Sequence, residues 1–220
     1  MSDEVVAPGA PERPRSALAE FRKNPVVDLV ITVTMAIAIA YAVQLWIVKP
    51  YRVPSQSMEQ TLHVGDRILA ARFLYHITDP SRGDIIVFHP NGRGSDVFQT
   101  DHASTQNYVK RLIGLPGEWL GSDNGKVYVC ATKAPESRLQ PTSTPGCRFL
   151  KENYTTSPTG QCSSTTGDFG PRHLGRDQYL MLGDNRQFSE DSRCWGAIHR
   201  SQIIGRAFAI YWPPNRIQGL

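Results

Sequence analysis

Three short segments hold the side chains that could carry chemistry. Pro54–Leu62 contains two serines, Tyr108–Glu118 contains Lys110, and Gly183–Gly196 contains several Asp and Arg residues. A serine hydroxyl becomes an effective nucleophile only beside a base that removes its proton. Taken singly, each segment also has a structural interpretation: a serine can cap a turn, a lysine can be solvated at a strand edge, and Asp–Arg pairs can hold a loop.

The combination and order of these segments resemble the bacterial signal peptidase I family. The match runs from about residue 29 to the end of the chain, apart from Cys130–Asp177, and its second and third segments are long enough to be highly specific. One departure, Gln60 where the family often has proline, touches no reacting group. The resemblance implies a serine/lysine dyad and neither a metal nor an organic cofactor.

In this family the dyad corresponds to Ser57 as nucleophile and Lys110 as its general base. Lysine serves as a base only when neutral; its reference pKa is about 10.4, and burial can lower it by up to about 3–5 units. The apolar neighbours of Lys110 suit that shift. The resemblance also implies an oxyanion hole formed by the Ser57 backbone N–H and the Ser55 hydroxyl.

Further roles follow from the same resemblance. Ser189 matches a serine that hydrogen-bonds and orients the lysine amine, while Asp191 and Arg193 match a structural ion pair beside the dyad. The implied substrates have small residues one and three positions before the scissile bond, and an extended substrate strand would point both side chains into shallow pockets. The residues expected to form this substrate groove are Tyr51, Val53, Pro54, Met58, Tyr108 and Val109.

Six histidines leave a Ser–His–Asp triad open as an alternative. No Gly-x-Ser-x-Gly pattern accompanies them, but triads are recognised by geometry, which a sequence does not show. We interpret the histidines as surface or turn residues. They are His63, His76, His89, His102, His173 and His199.

The run Leu29–Val48 carries no charge and is mostly Val, Ile, Ala and Leu. As a helix it is about 30 Å long, the thickness of a bilayer core. A buried core helix and a cleaved signal peptide are the alternatives. The run is longer than the roughly 7–15 apolar residues of a secretory signal, and its closely spaced alanines lie inside it. We therefore predict an uncleaved transmembrane anchor over residues 26–48.

The distribution of basic residues predicts the orientation of this anchor. Four basic residues precede it closely, whereas only Lys49 and Arg52 follow closely. The positive-inside bias places the N-terminus, residues 1–25, in the cytoplasm as a tail and the peptidase domain, residues 49–220, outside. The expected location is the bacterial cytoplasmic membrane, with a single pass and contact with membrane lipid.

After the anchor the pattern changes to short β-like runs separated by Gly, Pro and Asp turns. No long amphipathic helix occurs, so we predict a mostly β fold, an antiparallel sheet or small barrel with an insertion at about 130–177. The predicted strands are Arg67–Ala71, Asp84–Phe88, Tyr108–Ile113, Lys126–Val129, Gln178–Leu182 and Ile203–Trp212.

The insertion is rich in Ser, Thr, Pro and Gly and contains Cys130, Cys147 and Cys162; Cys194 follows it. Four cysteines allow three full pairings, and their spacing fits no metal pattern. We favour Cys130–Cys147, which would staple a loop with few apolar anchors. Within the third motif a free buried thiol at Cys194 would be unremarkable.

With 220 residues and a net charge of +4, the chain lacks the basic, aromatic-interleaved runs of a nucleic-acid binder. The predicted function is removal of N-terminal signal peptides from exported preproteins. Two alternatives remain: the related self-cleaving repressors, which carry a DNA-binding head rather than an anchor, and an anchored binding module that merely retains the catalytic residues.

Overall fold

The computed structural model describes residues 25–89, 107–131, 145–155 and 168–220, without the side chains of 44–46. It divides into two compact units between Gln44 and Leu45. The predicted tail, residues 1–25, lies outside the described residues except for Pro25.

Helix α1 spans Pro25–Trp46 and has apolar residues on every face. Proline suits the first turn of a helix because its missing N–H has no partner there in any case. Nearly all of its described side chains are exposed, and by length and composition the helix could cross a membrane. It ends two residues before the predicted boundary, because Val48 already begins the first strand.

The larger sheet contains eight strands, all paired antiparallel, numbered here in chain order. Their order is β1-β2-β11-β3-β4-β9-β10, and β12 pairs with β11. The bounds are β1 Val48–Arg52, β2 Arg67–Ala71, β3 Ile85–Phe88, β4 Tyr108–Gly114, β9 Gln178–Leu182, β10 Ile198–His199, β11 Ile203–Trp212 and β12 Gln218–Gly219. The mostly β prediction is confirmed, and within the described residues this sheet is an open path with β1 and β10 at its ends.

A smaller antiparallel sheet has the order β7-β6-β5-β8. Its strands are β5 Trp119–Asp123, β6 Lys126–Cys130, β7 Cys147–Phe149 and β8 Arg172–His173. Asn124 and Gly125, both at positive φ, join β5 to β6, the conformation that an Asn-Gly hairpin turn requires. Two of these strands, β7 and β8, lie within the predicted insertion.

Cys130 and Cys147 face each other across β6 and β7 and form a disulfide, the pairing favoured from the sequence. The suggestion of a free buried thiol at Cys194 is wrong: this residue is exposed and disulfide-bonded. The fourth cysteine, Cys162, lies outside the described residues.

The helices that follow α1 are short, α2 at Leu74–Ile77 and α3 at Ser192–Trp195. Asp191 caps the N-terminus of α3, its side chain accepting from the backbone N–H of Arg193. Buried apolar residues of β2, β3 and β11 form a core against which the segment after β1 packs. This core holds the first of the three motif segments in place.

Candidate active site

Ser57 lies in a 3₁₀ turn, Gln56–Met58, within a closed loop that follows β1. The loop is closed by two backbone hydrogen bonds of 2.9 Å, from Val53 N–H to the Asp66 carbonyl and from Gly65 N–H to the Val53 carbonyl. Met58 and Leu62 are almost fully buried in the core. These apolar side chains, one in the turn and one after it, therefore fix the position of Ser57.

Lys110 lies on β4, and its side chain reaches Ser57. Its Nζ is 2.6 Å from Ser57 Oγ, and the two residues are only 3% and 5% exposed. Ser55 Oγ lies 3.2 Å from Ser57 Oγ on the exposed side. The structure thus brings together the three residues that the first two motif segments contribute.

Burial of the Lys110 amine lowers its pKa to about 8, although the charges of Asp191, Glu190 and Asp184 act in the opposite direction. Desolvation disfavours the ammonium form, and it outweighs the carboxylates here. A substantial fraction of this lysine is therefore neutral in mildly alkaline solution. A neutral amine in hydrogen-bond contact with a serine hydroxyl can accept its proton.

The third motif segment holds the Gln56–Met58 turn through Asn185. Its backbone N–H donates to the Ser57 carbonyl at 3.1 Å, and its side-chain Nδ2 donates to the Gln56 carbonyl at 3.1 Å. Gly183 lies equally close, since a Cβ there would overlap the Ser57 carbonyl oxygen and the Ser189 side chain. Only glycine lets the two segments approach this closely.

Asp191 and Arg193 form a buried ion pair, with Nε–Oδ1 at 2.8 Å and the second carboxylate oxygen 2.9 Å from the guanidinium. Asp191 also accepts from the backbone N–H of Gly183 at 3.0 Å. Ser189 is fully buried beside Gly183, and its carbonyl accepts from Arg193 at 3.2 Å. Its orienting role toward Lys110 stays a prediction.

A second ion pair links all three motif segments. Arg111 donates to Asp184 through Nε at 2.8 Å and through a terminal nitrogen at 2.6 Å. Thr61, in the Ser57 loop, donates to Asp184 at 2.5 Å and accepts from Arg111 at 3.1 Å. Sequence reasoning assigned no role to Thr61, Arg111, Asp184 or Asn185; their one signal was their place inside the motif segments.

A cavity of about 110 Å³ opens beside Ser57. It is lined by nine residues, which include five of the six predicted for the substrate groove. The lining residues are Val53, Pro54, Ser55, Ser57, Met58, Asn107, Tyr108, Val109 and Lys110. Tyr51, the sixth, is half-buried on β1, where it packs against the core and not in this wall.

Both sides of this cavity present backbone edges. β1 pairs only with β2, and β4 pairs with β9 only from Arg111 onward within the described residues. The first residues of β4 are thus paired on one side alone, with β3. An extended peptide can add to such an edge.

The described part of this cavity wall contains no histidine. Nor does any group of three or more His, Cys, Asp or Glu within the described residues have the arrangement of a metal site. His102 lies outside the described residues.

Comparison with known proteins identifies the family. The family model described as "Signal peptidase, peptidase S26" matches residues 26–212. A signal peptidase I from Leptolyngbya laminosa is 34% identical over 219 residues, which cover 99% of this chain and 96% of that protein. The signal peptidase I P of Bacillus subtilis subsp. natto is 31% identical over 198 residues, 90% of this chain and 95% of that protein.

A solved structure is also similar to this chain. The crystal structure of a signal peptidase I from Enterococcus faecalis is 27% identical, covers 59% of this chain and 97% of that chain, and has a TM-score of 0.34. The family model and the two relatives each match most of the chain. This chain therefore belongs to the signal peptidase family and is a peptidase.

Proposed function

We propose that this protein is a membrane-anchored serine endopeptidase that removes N-terminal signal peptides from exported preproteins with a Ser57/Lys110 dyad. The observation that carries the proposal is the 2.6 Å approach of Lys110 Nζ to Ser57 Oγ in a buried setting. Family membership supports the substrate class, and the pKa of Lys110, lowered to about 8, supports a neutral amine as base.

In the proposed reaction Ser57 Oγ attacks the scissile carbonyl carbon as the neutral Lys110 amine takes its proton. The Ser57 backbone N–H and the Ser55 hydroxyl donate to the oxyanion of the tetrahedral intermediate. When the intermediate collapses, the C–N bond breaks and the Lys110 ammonium passes its proton to the leaving amine. Water then attacks the acyl-enzyme ester as Lys110 takes its proton. Lys110 passes that proton to Ser57 Oγ when the ester bond breaks, which releases the signal peptide and restores the enzyme.

Specificity for small side chains is proposed to follow from the cavity beside Ser57. Its volume of about 110 Å³ is well below the roughly 300–1,000 Å³ of an ordinary ligand pocket. A substrate extended between the Val53–Ser55 and Asn107–Val109 edges would place alternate side chains against this wall. A site of this size favours alanine over leucine or phenylalanine.

Matched peptides that differ only at the positions one and three before the cut test this function. We expect the alanine peptide to be cleaved at one bond, and the leucine and phenylalanine peptides to stay intact. Ser57→Ala protein is the control for contaminating peptidases. Equal turnover of the alanine and leucine peptides would reject signal-peptide specificity, and no turnover of any peptide would reject the peptidase assignment.

Helix α1 is proposed as the anchor, with the N-terminus in the cytoplasm and the domain from about residue 49 outside. The uncharged run and the basic residues before it support this orientation. Protease added to intact spheroplasts should digest the domain and leave a small N-terminal fragment. Full protection of the domain would mean an inverted topology or a cytoplasmic protein.

A further inference from the structure

We propose that Glu152 and Tyr154, which lie outside the three motif segments, are positioning residues for the nucleophile Ser57. Neither touches Ser57 or the cavity beside it; both act through arginines of the motif segments. The inference rests on the proposed peptidase function and assigns a catalytic consequence to the insertion.

Glu152 is paired with Arg186 of the third motif segment in a nearly water-free setting. Their side chains are only 6% and 3% exposed, and the carboxylate contacts both terminal nitrogens of the guanidinium. The Tyr154 hydroxyl donates to Glu152 Oε1 at 3.0 Å. Arg186 Nε in turn donates to the Gly183 carbonyl at 3.0 Å. Glu152 therefore fixes the side chain of Arg186, which joins the two ends of the turn from Gly183 to Arg186.

Tyr154 contacts a second arginine of the site. The guanidinium carbon of Arg111 lies 4.1 Å from the centre of the Tyr154 ring, within the range of a cation–π contact. Arg111 is the residue that donates hydrogen bonds to Asp184 and Thr61. The ring covers this guanidinium and restricts the directions in which it can donate.

The two arginine contacts act on either side of Asn185. Asp184 is held by Arg111, and Arg186 is held by Glu152, so the residues flanking Asn185 are both fixed. Asn185 is the residue whose backbone and side chain hold the carbonyls of Ser57 and Gln56. Movement of Asn185 would move Ser57 Oγ relative to Lys110, which is held separately on β4.

The segment that carries Glu152 and Tyr154 is attached to the smaller sheet. β7 precedes it, the disulfide joins Cys147 of β7 to Cys130 of β6, and Leu150 N–H donates to the Val127 carbonyl at 2.8 Å. The smaller sheet thus presents both side chains to the motif segments from a fixed support.

The chain contains a matched control at Asp84, on the segment leading into β3. Its carboxylate accepts from the Tyr75 hydroxyl at 2.9 Å and pairs with Arg206 at 3.2 Å. This is the same Tyr–carboxylate–Arg arrangement as at Glu152, but its arginine, Arg206 on β11, is not part of a motif segment. Its link to the site is through the backbone, since the Gly83 carbonyl accepts from Arg111 at 2.8 Å. Asp84→Asn and Glu152→Gln therefore make the same chemical change, carboxylate to amide, but only Glu152 loses a pair with an arginine of a motif segment.

The experiment measures kcat and KM for the alanine peptide with Glu152→Gln, Tyr154→Leu, Tyr154→Phe and Asp84→Asn. Each protein is assayed well below its own melting temperature, so that all molecules are folded. We expect Glu152→Gln and Tyr154→Leu to lower kcat by roughly 10–100-fold, the cost of a small misplacement of reacting groups, with KM changed less than threefold. Tyr154→Phe keeps the ring on Arg111 and should lose less than Tyr154→Leu. Asp84→Asn should keep kcat within twofold even where its melting temperature falls.

The pH dependence separates a displaced Ser57 from an altered Lys110. The rising limb of kcat/KM should stay near the wild-type position in Glu152→Gln, because the charges that act on the pKa of Lys110 are those of Asp191, Glu190, Arg193 and Asp184, none of which is changed. Wild-type kcat in both Glu152→Gln and Tyr154→Leu would overturn the proposal, as would an equal loss in Asp84→Asn. If Glu152→Gln does not fold, the two Tyr154 variants decide between these outcomes. Wild-type protein that fails to cut the peptide at all would instead refute the proposed function, and this inference with it.

Discussion

Buried cations occur in two parts of the site, and their partners differ. In the supporting network each guanidinium contacts a carboxylate directly, as in the pair of Arg193 with Asp191. In the pair proposed to react, the buried amine of Lys110 contacts the hydroxyl of Ser57 at 2.6 Å. The other pairs of the network are Arg111 with Asp184 and Arg186 with Glu152.

The difference shows how one domain can pair some buried cations with carboxylates and still favour the neutral form of another, Lys110. A carboxylate in hydrogen-bond contact compensates for the lost hydration of a cation, whereas a hydroxyl does so only weakly. The carboxylates of Asp191, Glu190 and Asp184 raise the pKa of Lys110. Burial lowers it by more than they raise it, and the pKa is about 8. The Lys110 amine can therefore become neutral.

Replacing the reacting lysine by arginine should erase this difference and abolish turnover. Guanidinium cannot be deprotonated in a protein, so Lys110→Arg has no base. We expect Lys110→Arg, Lys110→Ala and Ser57→Ala all to lack measurable cleavage of the alanine peptide while remaining folded by circular dichroism. Appreciable activity in Lys110→Arg would refute the role given to Lys110.

The control for Lys110→Arg is the reverse exchange, arginine to lysine, at the neighbouring residue Arg111. Arg111→Lys keeps a cation beside Asp184, so this variant should retain measurable turnover.

Removing a carboxylate from the supporting network should damage stability. Asp191→Asn leaves the guanidinium of Arg193 buried without its counter-charge, which costs about 3–5 kcal/mol of unfolding free energy. Urea titration of the purified domain measures this loss. Ser57→Ala, which removes one hydroxyl partner from the reacting pair, should change the same quantity by only about 1 kcal/mol. Equal stabilities of the two variants would contradict the distinction drawn between the two regions.

Ser55→Ala tests the proposed oxyanion hole. Ser55 is exposed, so its loss should leave the unfolding free energy nearly unchanged. We expect kcat to fall by roughly 10²–10³, as for other single oxyanion donors. A kcat within threefold of wild type would remove Ser55 from the mechanism.

Local sequence patterns predicted much of the larger sheet. The bounds of Arg67–Ala71, Gln178–Leu182 and Ile203–Trp212 agree with the structure, because these runs lie between clear turn residues. β1 was not among the predicted strands, since Lys49 and Pro50 interrupt its apolar pattern and it gains its partner from β2. β5 includes Gly121, which packs against the Tyr128 side chain so closely that a Cβ would overlap it. The fold thus explains a glycine within a strand, which the sequence pattern alone does not.

The same limit applies to the site. The three motif segments carry their residues within short stretches, so Ser57, Lys110 and Asp191 could be identified from the sequence. The contact of Asn185 with Gln56 joins residues 129 positions apart. It depends on the strand order that places β9 beside β4. Glu152 and Tyr154 lie in a polar segment with no pattern of their own, and only the smaller sheet brings them to the arginines.

The pH dependence of kcat/KM tests the central claim, a neutral Lys110 as general base, most directly. Because the deprotonated amine is the active form and its pKa is about 8, kcat/KM should rise as the pH increases through about 8 and level off above it. Burial lowers this pKa, so the limb should lie well below the value of a solvated lysine, about 10.4. A single rising limb near pH 8 is the predicted result. A limb near 6.5, the ordinary pKa of histidine, would contradict the account and favour a histidine base.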